Sequence, residues 1–277
     1  MATQSNDYRA PGRNPAAPLG HGAFPVLFLI GRPAAGKSEI IRYLKSVTVE
    51  ERRDRLHVGD FHELDDFPMI WAWFEEDAIL AAHGRSRLHT DAEGYFLDNF
   101  LWNVLIERLE LEYRKWALEL SSEATKALST DPAALPPAPQ DRTAVIEFAR
   151  GSEHGGLGTA FSFFSEAILR RAAVLYVQVS YAESLRKNRR RFNPDKPHSI
   201  LEHSLPDEKL ERMYRDTDWS ELSASDPAYL TCRGVRVPYA VMENEDDVTT
   251  KGGEPLGRRL EETLVVLWQR YSTRDRS

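Results

Sequence analysis

Apolar runs alternate along the chain with segments of helical spacing. The runs are residues 25–30, 55–58, 144–147, 174–179 and 237–242. Several of them are continuous rather than alternating, which is typical of strands covered on both faces. Between them, apolar side chains recur at helical spacing in residues 79–80, 97–120, 163–171 and 256–271. This alternation predicts an α/β fold with three layers, a parallel sheet between two layers of helices.

We expect a single domain over residues 23–277. Residues 1–22 are rich in Pro, Gly, Asn and Ala and poor in large apolar side chains, so we expect a flexible tail. Four prolines between Ser121 and Asp141 indicate a loop, and strand-like runs on both sides place that loop inside the domain. Residues 61–141 then form a helical region with this Pro-rich loop, and residues 182–231 form a basic region.

One segment carries a specific chemical signal. Residues 31–38 read Gly-Arg-Pro-Ala-Ala-Gly-Lys-Ser, a complete G-x-x-x-x-G-K-[ST] phosphate-binding loop between a strand-like run and a helix-like stretch. Its glycines let backbone amides approach a polyphosphate, and the following helix adds unpaired amides and a positive dipole. Lys37 should reach the β- and γ-phosphates, and the Ser38 hydroxyl should coordinate Mg²⁺. The predicted nucleoside triphosphate site consists of Gly31, Arg32, Pro33, Ala34, Ala35, Gly36, Lys37 and Ser38.

The composition of the chain bears on its partners and its cellular compartment. The 277 residues include 36 Lys and Arg against 43 Asp and Glu, a formal net charge of −7, which argues against nucleic acid as the main partner. Cys232 is the single cysteine, so no intrachain disulfide forms and a reducing compartment suits the chain. No apolar run approaches the roughly 20 residues that span a bilayer, and no secretory signal pattern occurs. We therefore expect a cytoplasmic protein without a membrane partner.

Acidic residues are predicted at the carboxyl ends of two other strands, where ligands of open α/β sheets bind. Glu147 ends the run at residues 144–147 and resembles a position that holds Mg²⁺ near Ser38. Asp60 follows the run at residues 55–58 and is the candidate base for an attacking hydroxyl. Asp65 and Asp66 are the rival candidates for that base.

A basic helix is predicted after the fourth strand. Helical spacing over residues 181–192 puts Arg186, Arg189 and Arg190 on one side, while Lys187 and Arg191 point elsewhere. Arginine suits a lid that closes on phosphate oxygens, so these three are candidate catalytic residues. A solvated basic face or a nucleic-acid patch is the alternative interpretation.

Taken in order, these parts resemble the P-loop kinases, the group that acts on nucleosides, nucleotides and small molecules. The resemblance covers about residues 24–272, and its specific motif is the loop at residues 31–38. It implies a five-stranded parallel sheet in the order 2-3-1-4-5, a helical acceptor region after strand two and a lid after strand four. The aromatic residues after strand two match no acceptor pocket of that group, and such residues are more often core than a stacking platform. His154 lies in a glycine-rich segment and is expected to be an exposed loop residue rather than a catalyst.

Two functions follow as hypotheses. The first is a kinase that uses ATP and Mg²⁺ to phosphorylate a small acceptor, with Lys37, Asp60 and the lid arginines in catalysis. The second is a regulatory ATPase that presents a nucleotide-dependent conformation to a protein partner. The sequence leaves open the acceptor, the choice between ATP and GTP, and the oligomeric state.

Overall fold

The protein is described by a computed structural model that covers residues 22–121, 135–136, 138–191 and 205–274. The predicted flexible tail lies, apart from residue 22, outside the described residues. Most of the Pro-rich loop and part of the predicted lid region lie outside them too. The single domain over residues 23–277 stays a prediction.

Six strands of the described residues form one mixed, mostly parallel sheet. They are β1 (Val26–Gly31), β2 (Asp60–Asp65), β3 (Arg142–Phe148), β4 (Ala172–Gln178), β5 (Tyr229–Cys232) and β6 (Val235–Glu243). The order across the sheet is β2-β3-β1-β4-β6-β5. All neighbours are parallel except β5 and β6, which are antiparallel. The predicted α/β class is confirmed, whereas the prediction of five strands, all parallel, is wrong.

The extra strand comes from a hairpin. Arg233 and Gly234 join β5 to β6, and their φ values of 50° and 76° are both in the left-handed region. A two-residue turn with two positive φ values matches the twist of antiparallel strands. The sequence-based prediction missed β5 because Arg, unlike Asn or Asp, gives no strong signal for this turn.

Helices surround the sheet. They are α1 (Lys37–Ser46), α2 (Val49–Leu56), α3 (Phe67–Ala82), α4 (Leu101–Glu119), α5 (Gly156–Phe163), α6 (Glu166–Leu169), α7 (Tyr181–Arg191), α8 (Asp207–Tyr214), α9 (Trp219–Leu222), α10 (Val248–Lys251) and α11 (Gly253–Thr273). No helix in the described part of the chain is long and apolar enough to cross a membrane.

The central strand explains why its sequence is continuously apolar. Phe28 and Ile30 belong to a core that also contains side chains of α4 and α5, whereas Leu27 and Leu29 belong to a second core with side chains of α1 and α11. Because both faces of β1 are covered, every one of its six residues is buried. The strand thereby fixes where the loop after Gly31 begins.

The second strand begins later than predicted. Arg55 and Leu56 end helix α2, whose first turn is capped by the Thr48 hydroxyl at 3.2 Å from the Glu51 amide nitrogen. The strand begins at Asp60, which lies opposite Arg142, the first residue of β3. Asp60 is therefore at the amino end of β2 rather than beyond its carboxyl end. The error arose because β2 is an edge strand with few buried residues, so its sequence lacks a long apolar run.

Candidate functional site

The loop at residues 31–38 begins at the end of β1 and runs into the start of α1, as its sequence context predicts. A Cβ on Gly31 would lie 2.6 Å from the carbonyl oxygen of Val177 on the neighbouring strand. Gly36 has a φ of 113°, and a Cβ there would overlap the Thr249 side chain. Among the described residues no side chain caps the start of α1. The loop thus needs both glycines, and the first amides of the helix are left for another acceptor.

Lys37 is buried at the centre of this loop. Its ammonium donates to the carbonyl oxygens of Gly31 at 3.3 Å and Arg32 at 3.1 Å, and lies 3.8 Å from Glu147 Oε1. Burial lowers the pKa of Lys37, and the Glu147 carboxylate opposes this effect. The structure therefore brings together Lys37 and Glu147, as the sequence predicted.

Asp65 completes a group of carboxylates at this edge of the sheet. It is the last residue of β2 and lies opposite Glu147 in the parallel register of β2 and β3. Burial, together with the charges of Glu147 and Asp66, raises the pKa of Asp65 to about 8. Burial also raises the pKa of Glu147, although Lys37 acts against it. Two partly buried carboxylates, Asp65 and Glu147, thus lie close to Lys37 at the carboxyl ends of these strands.

Asp66, the next residue, is held by a buried arginine. Arg150 Nη1 donates to Asp66 Oδ2 at 2.6 Å and to the carbonyl oxygen of Ala149 at 2.7 Å. Arg150 Nη2 donates to the carbonyl oxygen of Trp102 at 3.2 Å. Both charged side chains are buried, with 2% and 6% of their surfaces exposed. This ion pair fixes the junction between β2 and α3 beside the loop.

Asp60, by contrast, lies outside this group. It is at the opposite end of β2, where its Oδ2 accepts a hydrogen bond from Arg142 Nη1 at 2.8 Å. The prediction of Asp60 as the base depended on a position beyond the carboxyl end of the strand, and that position was wrong. Asp65 and Asp66, the rival candidates, occupy it.

Helix α7 presents a different arginine from those predicted. Arg186 pairs with Glu183 and Asp247, Arg189 with Asp207, and Arg190 lies 3.9 Å from Asp247. None of these three lines the cavity beside the loop.

The arginine that does line that cavity is Arg191, which helical spacing had placed elsewhere. Its Nη2 lies 3.4 Å from Ser38 Oγ and 3.9 Å from Glu39. The rotation of the helix, and not the number of its arginines, decides which one meets the loop.

A buried ion pair fixes that rotation. Lys187 Nζ lies 2.6 Å from Asp247 Oδ1 and donates to Thr249 Oγ1 at 2.9 Å. Asn244 Nδ2 donates to Thr249 Oγ1 at 2.8 Å and to the carbonyl oxygen of Ala35 at 2.7 Å. The turn after β6 therefore holds both the loop at residues 31–38 and α7. The sequence-based prediction missed these residues, which carry no recognisable motif.

The remaining loop residues divide between lining and support. Pro33 and Ala34 line the cavity, and the Pro33 carbonyl oxygen accepts a hydrogen bond from Ser184 Oγ at 2.7 Å. Arg32 donates to the carbonyl oxygen of Arg215 at 2.9 Å. Its guanidinium thus ties the loop to the segment after α8.

The cavity beside the loop has a volume of about 140 Å³. Its polar lining comes from Lys37, Ser38, Asp65, Asp66, Glu147, Arg150, Asn188, Arg191 and Tyr214. Hydroxyl and carboxylate oxygens are the ligands that Mg²⁺ prefers, usually one or two carboxylates together with substrate phosphates. Ser38 and Glu147 fit that chemistry. In the described ranges, no group of three or more His, Cys, Asp or Glu side chains could hold a metal ion.

A second cavity, of about 370 Å³, adjoins the first. The two share Phe67, Ile70, Leu205 and Tyr214 as lining residues. His154 also lines the second cavity, half-buried against the Trp102 ring at 4.7 Å between centroids, and burial lowers its pKa. The expectation that His154 is an exposed loop residue was therefore wrong.

Comparisons with known proteins add little. No protein-family model and no curated protein matches the chain. Among solved structures, the chain is similar to TT1252 from Thermus thermophilus, with 17% identity and a TM-score of 0.37, over 90% of this chain and 99% of that one. A likeness at this level carries no argument about fold or function. The fold and the site together define an α/β protein in which the strand β1 leads into a G-x-x-x-x-G-K-[ST] sequence, with the carboxylates of Asp65, Asp66 and Glu147 beside it.

Proposed function

We propose that this protein is a kinase that binds ATP with Mg²⁺ at residues 31–38 and transfers the γ-phosphate to a small acceptor. The observation that carries the proposal is the arrangement around the first cavity. Lys37 and Ser38 on one side face Asp65 and Glu147 on the other. In this proposal, the group that binds phosphate and the groups that hold a metal ion or a proton thus lie together at the carboxyl ends of β1, β2 and β3.

The loop amides and Lys37 bind the β- and γ-phosphates in this proposal, and Ser38 and Glu147 hold the metal ion. Mg²⁺ supplies charge neutralisation on the transferring phosphate. Arg191 replaces the three predicted lid arginines as the cation that α7 brings to the loop, because it alone of the four lines the cavity.

Asp65 takes the role first given to Asp60. The acceptor hydroxyl oxygen attacks the γ-phosphorus, the bond from that phosphorus to the β-phosphate oxygen breaks, and ADP leaves. The hydroxyl proton passes to the Asp65 carboxylate. A carboxyl group whose pKa is raised towards the working pH is suited to this role. Asp66, engaged by Arg150 at 2.6 Å, positions the start of α3 rather than taking the proton.

A regulatory ATPase that acts through a protein partner is the second candidate. It is favoured by exposed apolar side chains in and after α3, among them Ile79 with 61% and Leu88 with 67% of its surface exposed. Exposed apolar side chains that form a continuous patch are typical of a protein contact surface. Here the nucleotide would control that surface rather than supply a phosphate.

Incubation with γ-labelled ATP, Mg²⁺ and a pool of nucleosides, nucleotides, sugars and cofactor precursors separates the two candidates. A kinase transfers label to a member of the pool, and Lys37→Ala abolishes the transfer and weakens nucleotide binding. The control is Lys45→Ala, which changes an exposed lysine of the same helix that pairs with Glu63. Slow hydrolysis that no acceptor changes would contradict the kinase and favour the regulatory ATPase. The same assay with GTP decides the choice of nucleotide.

A further inference from the structure

The second cavity identifies the chemical class of the acceptor. We propose that it binds the body of the phosphoryl acceptor, and that this body is flat, aromatic and uncharged. This inference rests on the proposed kinase function. The cavity shares four lining residues with the first one, so a molecule bound there can extend a hydroxyl towards Asp65.

Aromatic side chains dominate the wall of this cavity. Phe67, Trp71, Phe74, Tyr95, Phe96, Trp102 and Tyr214 all line it. Trp102 and Tyr214 belong to a small buried core, against which Phe74, Tyr95 and Phe96 pack. Five of the seven residues are only partly buried, so part of their surface remains to border the cavity. Aromatic rings favour stacked or edge-to-face contacts with another ring. A volume of about 370 Å³ also lies in the usual range of small-molecule sites.

Trp102 supplies a polar group without a partner. Only 4% of the residue is exposed, and its indole Nε1 is buried without a hydrogen-bond acceptor among the described residues. Buried N–H groups nearly always find a partner in native structures. Trp102 also lines the cavity, so in this proposal a bound molecule that reaches the indole edge supplies the missing oxygen or nitrogen acceptor. The acceptor is thus expected to carry at least one such atom on its flat body.

Charge argues against a phosphorylated or otherwise anionic acceptor. The cations of the cavity wall are already engaged, Lys209 with the Glu93 carbonyl oxygen and Arg87 with Thr90 Oγ1 at 3.3 Å. The acidic residues Asp91 and Glu93 line the same wall. A phosphate would need free arginine or lysine donors. An uncharged acceptor avoids that requirement.

Two cations of α8 contact Tyr95 in the wall of the second cavity. Tyr95 lies under the Arg212 guanidinium at 4.2 Å and the Lys209 ammonium at 5.0 Å. Arg212 also pairs with Glu153 at 2.9 Å. Helix α8 is thereby fastened to the segment that contains Tyr95, and together they complete the side of the cavity away from the loop.

Three groups of probes test the inference by calorimetry without nucleotide and then by phosphoryl transfer. Uridine, pyridoxine and 4-hydroxybenzyl alcohol are flat and uncharged, glucose and glycerol are polar and not flat, and uridine 5′-monophosphate is anionic. We expect binding from the first group alone. Preferred binding of a sugar or of the monophosphate overturns the proposal, and so does binding of none of the flat probes.

A pair of variants tests the site itself. Trp102→Phe keeps a ring and removes the N–H, so we expect the dissociation constant of the best flat probe to rise about fivefold to tenfold. Binding of a fluorescent ATP analogue should not change. Trp116→Phe is the control, because Trp116 belongs to the core under the sheet and does not line the cavity. Equal effects of the two variants would contradict the site. Flat probes that bind although no label is transferred would refute the kinase and leave the binding site intact.

Discussion

Asp77 is the residue whose removal should most weaken the region after β2. It lies in α3 with no exposed surface, although it is a carboxylate. Its oxygens accept hydrogen bonds from the Leu88 amide at 2.7 Å, the Thr90 amide at 2.6 Å and the Thr90 hydroxyl at 2.7 Å. They also accept one from the His89 amide at 3.1 Å. Asp77 therefore fastens the start of the segment that forms a wall of the second cavity.

The loss of stability in Asp77→Ala follows from the hydrogen-bond donors that would lose their acceptor. Thr90 has no exposed surface, so its amide and hydroxyl would lose their acceptor without gaining water. Each buried donor left unsatisfied costs about 1–3 kcal/mol, and the half-buried amides of Leu88 and His89 add a smaller amount. We expect the free energy of unfolding to fall by about 3–5 kcal/mol, measured by urea denaturation. Glu76→Ala, at an exposed position of the same helix, should change it by under about 0.5 kcal/mol.

The pH dependence gives a second measurement of the same interaction. Burial tends to raise the pKa of Asp77, but the hydrogen bonds from Leu88, Thr90 and His89 outweigh it and lower the pKa to about 2. In the unfolded chain the value is about 3.9. A lowered folded-state pKa means that the stabilisation is complete above about pH 4 and is lost as the pH falls towards 2. The difference between the wild type and Asp77→Asn should therefore shrink over that interval. A difference that does not vary with pH, or an alanine variant that loses under about 1 kcal/mol, would refute the reasoning.

Two further predictions concern the first cavity. Asp65→Asn should abolish phosphoryl transfer and leave ATP binding intact, and a fully active Asn variant would exclude Asp65 as the base. In the wild type, kcat/KM for ATP, which reports the nucleotide-free protein, should rise with pH towards about 8, because the base must be ionised and burial raises its pKa to about 8. Arg191→Ala should lower the transfer rate at least tenfold, because Arg191 reaches Ser38. Arg190→Ala, at an exposed position of the same helix, should have little effect. Equal rates for both variants would contradict a role for Arg191 and favour the interpretation of α7 as a solvated basic face.

The elements that the sequence predicted well are those whose burial leaves a pattern. Strand β1 and the loop after it could be predicted because both faces of the strand are covered and the loop needs glycine at Gly31 and Gly36. Strand β2 could not, because an edge strand with alternating exposure needs only a few apolar residues. The shift of its start moved Asp60 to the wrong end of the strand. Because the start of β2 was misplaced, the sequence favoured Asp60 as the base, whereas the structure places Asp65 at the carboxyl end of the strand.

The error in α7 has a different cause. Helical periodicity predicts which residues share a face of the helix, but it does not predict which face packs against the rest of the protein. That choice is made by Lys187, whose partners Asp247 and Thr249 are about 60 residues further along the chain. A local pattern contains no trace of such a contact. The second cavity could not be predicted for the same reason, since its aromatic residues come from segments that only the folded chain brings together.

The charges around the loop suggest an order of events in the proposed reaction. Lys37 lies close to both Asp65 and Glu147, while Arg150 is engaged by Asp66 and Arg191 also acts on Glu147. With Asp65 at a pKa of about 8, the free protein at neutral pH holds a proton where the reaction needs a base. Positive charge that entered beside Glu147 with the nucleotide would lower that pKa and favour release of the proton. Asp65 then becomes a competent base only after the nucleotide is in place, and the acceptor hydroxyl is activated when a phosphate is there to receive it.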